Sequence, residues 1–129
     1  MANPSPHKYE GNHLGGFRLW IEFVPSSTST VFTITRGKEY IKSIVLSATG
    51  TYVITFKESW NKFLDMNIKV KQATYNATHA REFDPAVNAV SNTTTPALTV
   101  LALNSAGAAT TLTDGDTVAG YIDFGYVKY

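Results

Sequence analysis

Residues 50–70, GTYVITFKESWNKFLDMNIKV, constrain the fold more than any other part of the chain, because they hold two runs in which apolar side chains recur at every second position. Tyr52, Ile54 and Phe56 share one face in the first run, and Met66, Ile68 and Val70 share one in the second. That is the period of a strand with one buried face. The stretch between them, KESWNKF from Lys57 to Phe63, is too long for a two-residue turn. Read locally, the two runs form a hairpin with a structured bend. Trp60, Phe63 and Leu64 are expected to fold back over the end of the core as a lid of one or two helical turns.

The rest of the chain repeats this periodicity. β-Branched and aromatic residues dominate, Thr is frequent, and no window carries the i, i+3, i+4 apolar pattern of a long amphipathic helix. FRLWIEFV places Phe17, Leu19, Ile21 and Phe23 on one face and Arg18, Trp20 and Glu22 on the other, and Pro25 ends the run. TVFTITR closes at Arg36-Gly37, and YIKSIVLS closes at the Thr49-Gly50 turn. From Gln72 to Pro96 the alternation weakens, which reads as a long excursion rather than a regular strand. ALTVLALN then restores strand character, NSAG is a turn, and the closing run puts Val118, Ile122, Phe124 and Tyr126 on one parity. The first sixteen residues, with Pro4, Pro6, Gly11, Gly15 and Gly16, lack periodicity and read as an arm. The expected class is all-β. The expected architecture is a single β-sandwich or small β-barrel, jelly-roll-like, of about seven or eight strands, with an extended N-terminal arm over 1–16 and the domain over 17–129.

Composition narrows the function classes. A chain of 129 residues supports one core and needs no covalent staple. It has no cysteine, so disulfides and thiolate metal sites are excluded. The net charge is +1 and no basic run exceeds Lys69 to Lys71, which argues against nucleic acid as a partner. No run has the length and apolarity of a membrane span or the apolar stretch of a secretion signal. The expectation is a soluble chain of intracellular origin, made without processing, with no membrane partner.

Candidate chemistry is sparse. His7, His13 and His79 are solitary, with no second ligand at metal-binding spacing. Asp114, Asp116 and Asp123 supply oxygen ligands but lack the following bidentate Glu of a calcium loop, so DGD reads as a turn. There is no G-x-S-x-G elbow, and Glu22, Glu39, Glu58, Glu82 and Asp84 are scattered. No metal, no cofactor and no catalytic activity are expected. Asn76-Ala77-Thr78 and Asn92-Thr93-Thr94 match the glycosylation sequon, as Asn/Thr-rich loops do by chance. More informative are the aromatics on the polar parity: Trp20, with Tyr121 and Tyr129 as further candidates. They could cover a second buried surface under the arm, stack on a sugar, or meet another subunit.

The run TITRGKEYIKSIVLSATGTYVITFKESWNKFLDMNIKV, with the closing LTVLALNSAGAATTLTDGDTVAGYIDFGYVKY, resembles a group of small tailed-phage virion proteins. In that group a Gly-x-Tyr strand, an aromatic corner and a late DGD-x-V hairpin recur in this order. Their counterparts are Gly50 with Tyr52, Trp60 with Phe63 and Leu64, and Asp114-Gly115-Asp116 with Val118. The resemblance implies a non-enzymatic capsid decoration, or cement, protein. Such a protein sits on the outer capsid surface of the virion, often as a homotrimer, and binds the major capsid protein to fasten neighbouring capsomers. It carries no catalytic residues. The arm lies outside the resemblance, and His7, Tyr9 and Leu14, together with Trp20, are the candidate partner-binding residues. The alternatives are a tail- or fibre-associated phage component, and a carbohydrate-binding module that uses Trp20 or Trp60 as a stacking platform.

Overall fold

The computed structural model describes residues 16–25, 32–57, 62–85 and 96–125. These residues are all-β and form eight antiparallel strands: β1 (Gly16–Val24), β2 (Thr33–Arg36), β3 (Ile41–Ala48), β4 (Thr51–Phe56), β5 (Lys62–Lys71), β6 (Glu82–Pro85), β7 (Ala97–Leu103) and β8 (Thr117–Gly125). No helix occurs among the described residues. The strands form one sheet in the order β2-β1-β8-β5-β6-β7-β4-β3.

Strand order and loop length together force this sheet to curl. β2 and β3 lie at its opposite edges, yet only residues 37–40 separate them. In a flat sheet seven strand spacings would hold the edges about 34 Å apart. The chain from Arg36 to Ile41 reaches at most about 18 Å. The edges are therefore drawn towards each other, in the manner of a half-barrel, and the chain turns between them at Gly37, whose φ is 91° and whose carbonyl accepts from the Tyr40 and Ile41 amides. Rings fill the concave side. Phe124 of β8 meets Phe56 of β4 edge-on at 5.3 Å, Phe83 of β6 meets Phe23 of β1 at 6.2 Å, and Tyr40 of the 37–40 turn meets Phe17 of β1 at 5.3 Å. An eight-stranded curl has an interior about wide enough for side chains to fill, and these rings fill it.

The parity readings agree with the structure. Phe17, Leu19, Ile21 and Phe23 are buried, as are Tyr52, Ile54 and Phe56, Met66, Ile68 and Val70, and Val118, Ile122 and Phe124. The hairpin is corrected. β4 pairs with β3 and β7, while β5 pairs with β8 and β6, so two other strands stand between the runs that were read as partners. What wins is the longer ladder of β5 on β8, which sets Met66 opposite Ile122 and Val70 opposite Val118 along one apolar row. The helical lid is corrected in part: Phe63 and Leu64 belong to β5, where Phe63 packs half-buried on the core and Leu64 is 52% exposed. Trp60 lies outside the described residues. The expected excursion after Gln72 contains a short strand, β6, which bridges β5 to β7 and buries Phe83.

Tyr52 is a ring of the core that also has a polar task. Its phenol oxygen accepts a hydrogen bond from the Leu112 amide at 2.7 Å, and its ring packs between Phe32 and Phe83. Burial pushes its pKa above the ordinary value of about 10, against the opposing pull of the Leu112 amide. Two outcomes follow. Tyr52→Phe strands a buried amide and lowers unfolding free energy by about 1–3 kcal/mol in neutral denaturant titrations. The folded-state pKa is raised, so the stability linked to the neutral phenol is complete below about pH 10 and is lost as pH rises beyond it. The Tyr52→Phe variant should accordingly lose less stability than the parent between neutral and strongly alkaline pH. An equal loss in both proteins would contradict the assignment.

Candidate interaction surface

The convex face of β2, β1, β8 and β5 carries the polar parity of each strand, and the ladder arranges it in rows. Arg18 stands opposite Asp123, Trp20 opposite Tyr121, and Tyr121 in turn opposite Asn67. The Trp20 and Tyr121 rings meet edge-on at 5.3 Å, and Trp20 keeps 37% of its surface exposed. Arg18 closes one flank. Its guanidinium lies 3.7 Å from the Tyr121 ring centre and 5.7 Å from that of Trp20, and it donates Nε to Asp123 Oδ1 at 2.7 Å and Nη2 to Oδ2 at 2.9 Å. Arg36 of β2 closes the other flank, 5.6 Å from the Trp20 ring centre, and forms no ion pair among the described residues.

The two-pronged bond to Asp123 fixes the Arg18 plane over the Tyr121 face, so the aromatic pair is held in one arrangement before any partner arrives. The ion pair is partly solvent-exposed and contributes under about 1 kcal/mol to stability. Its effect is positional. The resulting strip is aromatic at its centre, with a carboxylate-paired guanidinium at one end and the Arg36 guanidinium at the other, a composition enriched at protein interfaces.

Of the residues read as partner-binding, Trp20 lies on this strip, and His7, Tyr9 and Leu14 lie outside the described residues, as do Tyr126 and Tyr129. Alternation placed Arg18 beside Trp20. It also put Tyr121 on the polar parity of its own strand, but it could not bring Tyr121, Asp123 or Arg36 to Trp20, which they join only through pairing with distant strands. Asp123, weighed with Asp114 and Asp116 as an oxygen ligand, is instead bound to Arg18. Asp116 is buried in the turn after Asp114, and its Oδ1 accepts from the Ala73 amide at 2.9 Å, which ties that turn to the end of β5. No group of three or more His, Cys, Asp or Glu side chains comes together among the described residues. Asn76 of the first sequon is engaged in a turn, its Oδ1 accepting from both the amide and the hydroxyl of Thr78.

A concave feature lies between the two edge strands of the sheet, near the 37–40 turn. Phe32, Ile34 and Ile41 form its floor, and Lys38, Lys42 and Lys57 stand with Glu39 around it.

No protein-family model, no curated protein and no solved structure matches the chain.

Proposed function

We propose that this chain is a non-enzymatic structural protein of a tailed-phage virion, of the decoration or cement kind, that binds the major capsid protein on the outer surface of the head. The observation that carries the reading is the strip of Trp20 and Tyr121 between Arg18 and Arg36. It is a preformed anchor on a convex face, with apolar rings to exclude water and the Arg36 guanidinium to meet a carboxylate of the shell. The resemblance of the stretches over residues 33–70 and 98–129 to small virion proteins supports the same assignment. A homotrimer repeated over the shell would multiply a modest contact by simultaneous engagement of several copies.

Quantitative mass spectrometry of purified, DNA-filled particles tests it. A ratio near parity with the major capsid protein is expected, and a ratio of a few per cent would move the protein to the tail or fibres. Trp20→Ala should lower occupancy on capsids by about tenfold or more, because truncated aromatic anchors dominate interface energies. The same change in a partly exposed side chain should alter unfolding free energy by no more than about 1 kcal/mol. Full occupancy of the Trp20→Ala protein would overturn the docking face.

A further inference from the structure

We propose that the cleft between the loop of residues 72–81 and the turn at Ser105 is a binding site for sugars that carry a carboxylate. This site is separate from the Trp20 strip, and it stands whether or not the capsid reading does.

The first ground is shape. The cleft encloses about 420 Å³, within the range of small-ligand sites, and is lined by Lys69, Gln72, Tyr75, His79, Arg81 and Ser105, among others. The second is that its walls are fixed. The Gln72 side chain donates to the His79 and Ala80 carbonyls and accepts from the Asn76 amide at 2.7 Å, so one amide group holds the loop closed on three sides. Ser105 Oγ donates to the Ala77 carbonyl at 2.9 Å, which binds the loop to the neighbouring turn. The Arg81 amide donates to Leu103 and its carbonyl accepts from Val70, which anchors the end of the loop to β7 and β5. A ligand entering here does not have to order the loop, which removes a large part of the usual cost of binding.

The third ground is the inventory of what the fold leaves unused. Tyr75 is 80% exposed at the loop, and its ring makes no contact with another aromatic or cationic group among the described residues. The Arg81 guanidinium and the His79 imidazole likewise have no hydrogen-bond or ion-pair partner among the described residues. An aromatic face, a forked cation and a ring nitrogen therefore line one preformed cleft without a hydrogen bond or ion pair to the rest of the described residues. Charge selects the ligand. Lys69 and Arg81 both act on the Glu82 carboxylate, holding its pKa below the usual range, but only Lys69 bonds it, at 2.8 Å. Two cations share one carboxylate, and the unbonded one is Arg81.

A flat phenol face suits the C–H face of a pyranose, and a free guanidinium suits a carboxylate in the two-pronged geometry that a lysine cannot reproduce. The hydroxyls of the same ring would meet His79 and the edge of the loop. A uronic or sialic type of residue combines these features; a neutral sugar lacks the carboxylate, and a phosphate lacks the stacking face.

The test is a titration of the isotope-labelled full chain, followed by amide resonances, with a galacturonate oligosaccharide, the matched neutral galactose oligosaccharide and inorganic phosphate. Galacturonate should shift the amides of Tyr75, Asn76, Arg81 and Ser105. Tyr75→Ala and Arg81→Ala should each weaken it by about tenfold or more, Arg81→Lys should not restore it, and thermal midpoints should stay unchanged because neither side chain has a hydrogen-bond or ion-pair partner to lose among the described residues. Equal binding of the neutral oligosaccharide would overturn the role of Arg81. Phosphate binding as tightly as galacturonate would overturn the sugar assignment. No shift with galacturonate, or shifts confined to the Trp20 face, would overturn the site.

Discussion

Gly120→Ala is expected to lower the unfolding free energy by about 3–5 kcal/mol, at the far end of what one substitution does. Gly120 lies on β8 opposite Ile21 of β1 on one side and Ile68 of β5 on the other. A methyl group built on it would stand 2.0 Å from the Asn67 carbonyl oxygen and 2.6 Å from the Ile68 Cα. Both are backbone atoms of the neighbouring strand, so no side-chain rotation relieves the overlap. The β5 ladder has to move or part. β8 also carries β1 on its other edge, so displacing it disturbs both of its ladders. Denaturant unfolding followed by tryptophan fluorescence gives the number. A midpoint within experimental error of the parent would mean that β5 and β8 are not packed this closely.

Phe124→Ala should cost a comparable amount, about 3–5 kcal/mol, for a different reason. Phe124 is fully buried and touches Phe56 edge-on at 5.3 Å, across the interior from β8 to β4, and Phe17 in a stacked arrangement at 6.3 Å on β1. Removing the ring leaves a cavity at the point where the curled sheet packs on itself, and the surrounding strands cannot close it without losing ladder bonds. The edge-on pair should show as coupling. In a double-mutant cycle with Phe56→Ala the two losses should fall short of additivity by about 0.5–1.5 kcal/mol. Strict additivity would show that the rings contribute area alone and no mutual geometry.

How far the sequence disclosed this molecule depends on the range over which each signal acts. Side-chain parity is local, so the inward faces of Phe17–Phe23, Tyr52–Phe56 and Met66–Val70 could be read from the alternation of apolar residues, and the structure buries all of them. Pairing is not local. Any two strands with an apolar face satisfy each other, and adjacency in sequence favoured β4 with β5, whereas the structure gives β5 its long register with β8. β6 escaped notice because it is four residues long, buries only Phe83 deeply, and ends in Pro85, which cannot donate to a ladder. The interaction strip shows the same division. Trp20 was visible as an aromatic on the wrong parity, while its partners Tyr121 and Asp123 come from a strand about a hundred residues away, and no single-window pattern links them. Tyr75, Arg81 and His79 were seen as parts of an irregular stretch. Their significance depends on the Gln72 bonds that give that stretch a fixed shape.

The position of β8 between β1 and β5 has a consequence for biosynthesis. β1 is the first of the eight strands to leave the ribosome and β8 the last, yet they share a ladder that begins at Gly16 with Gly125 and includes an ion pair spanning 105 positions. Until β8 is made, β1 and β5 lack the strand that joins them, and the row of Phe17, Leu19, Ile21 and Phe23 has no cover from its final neighbour. Contacts this distant in sequence close slowly, and partly synthesised β chains are prone to association through bare edges. Completion of the sheet is therefore tied to the end of translation of this domain. Ribosome-bound chains stopped before Thr117 should remain protease-sensitive throughout, and protection should arrive in a single step once the β8 segment has cleared the exit tunnel.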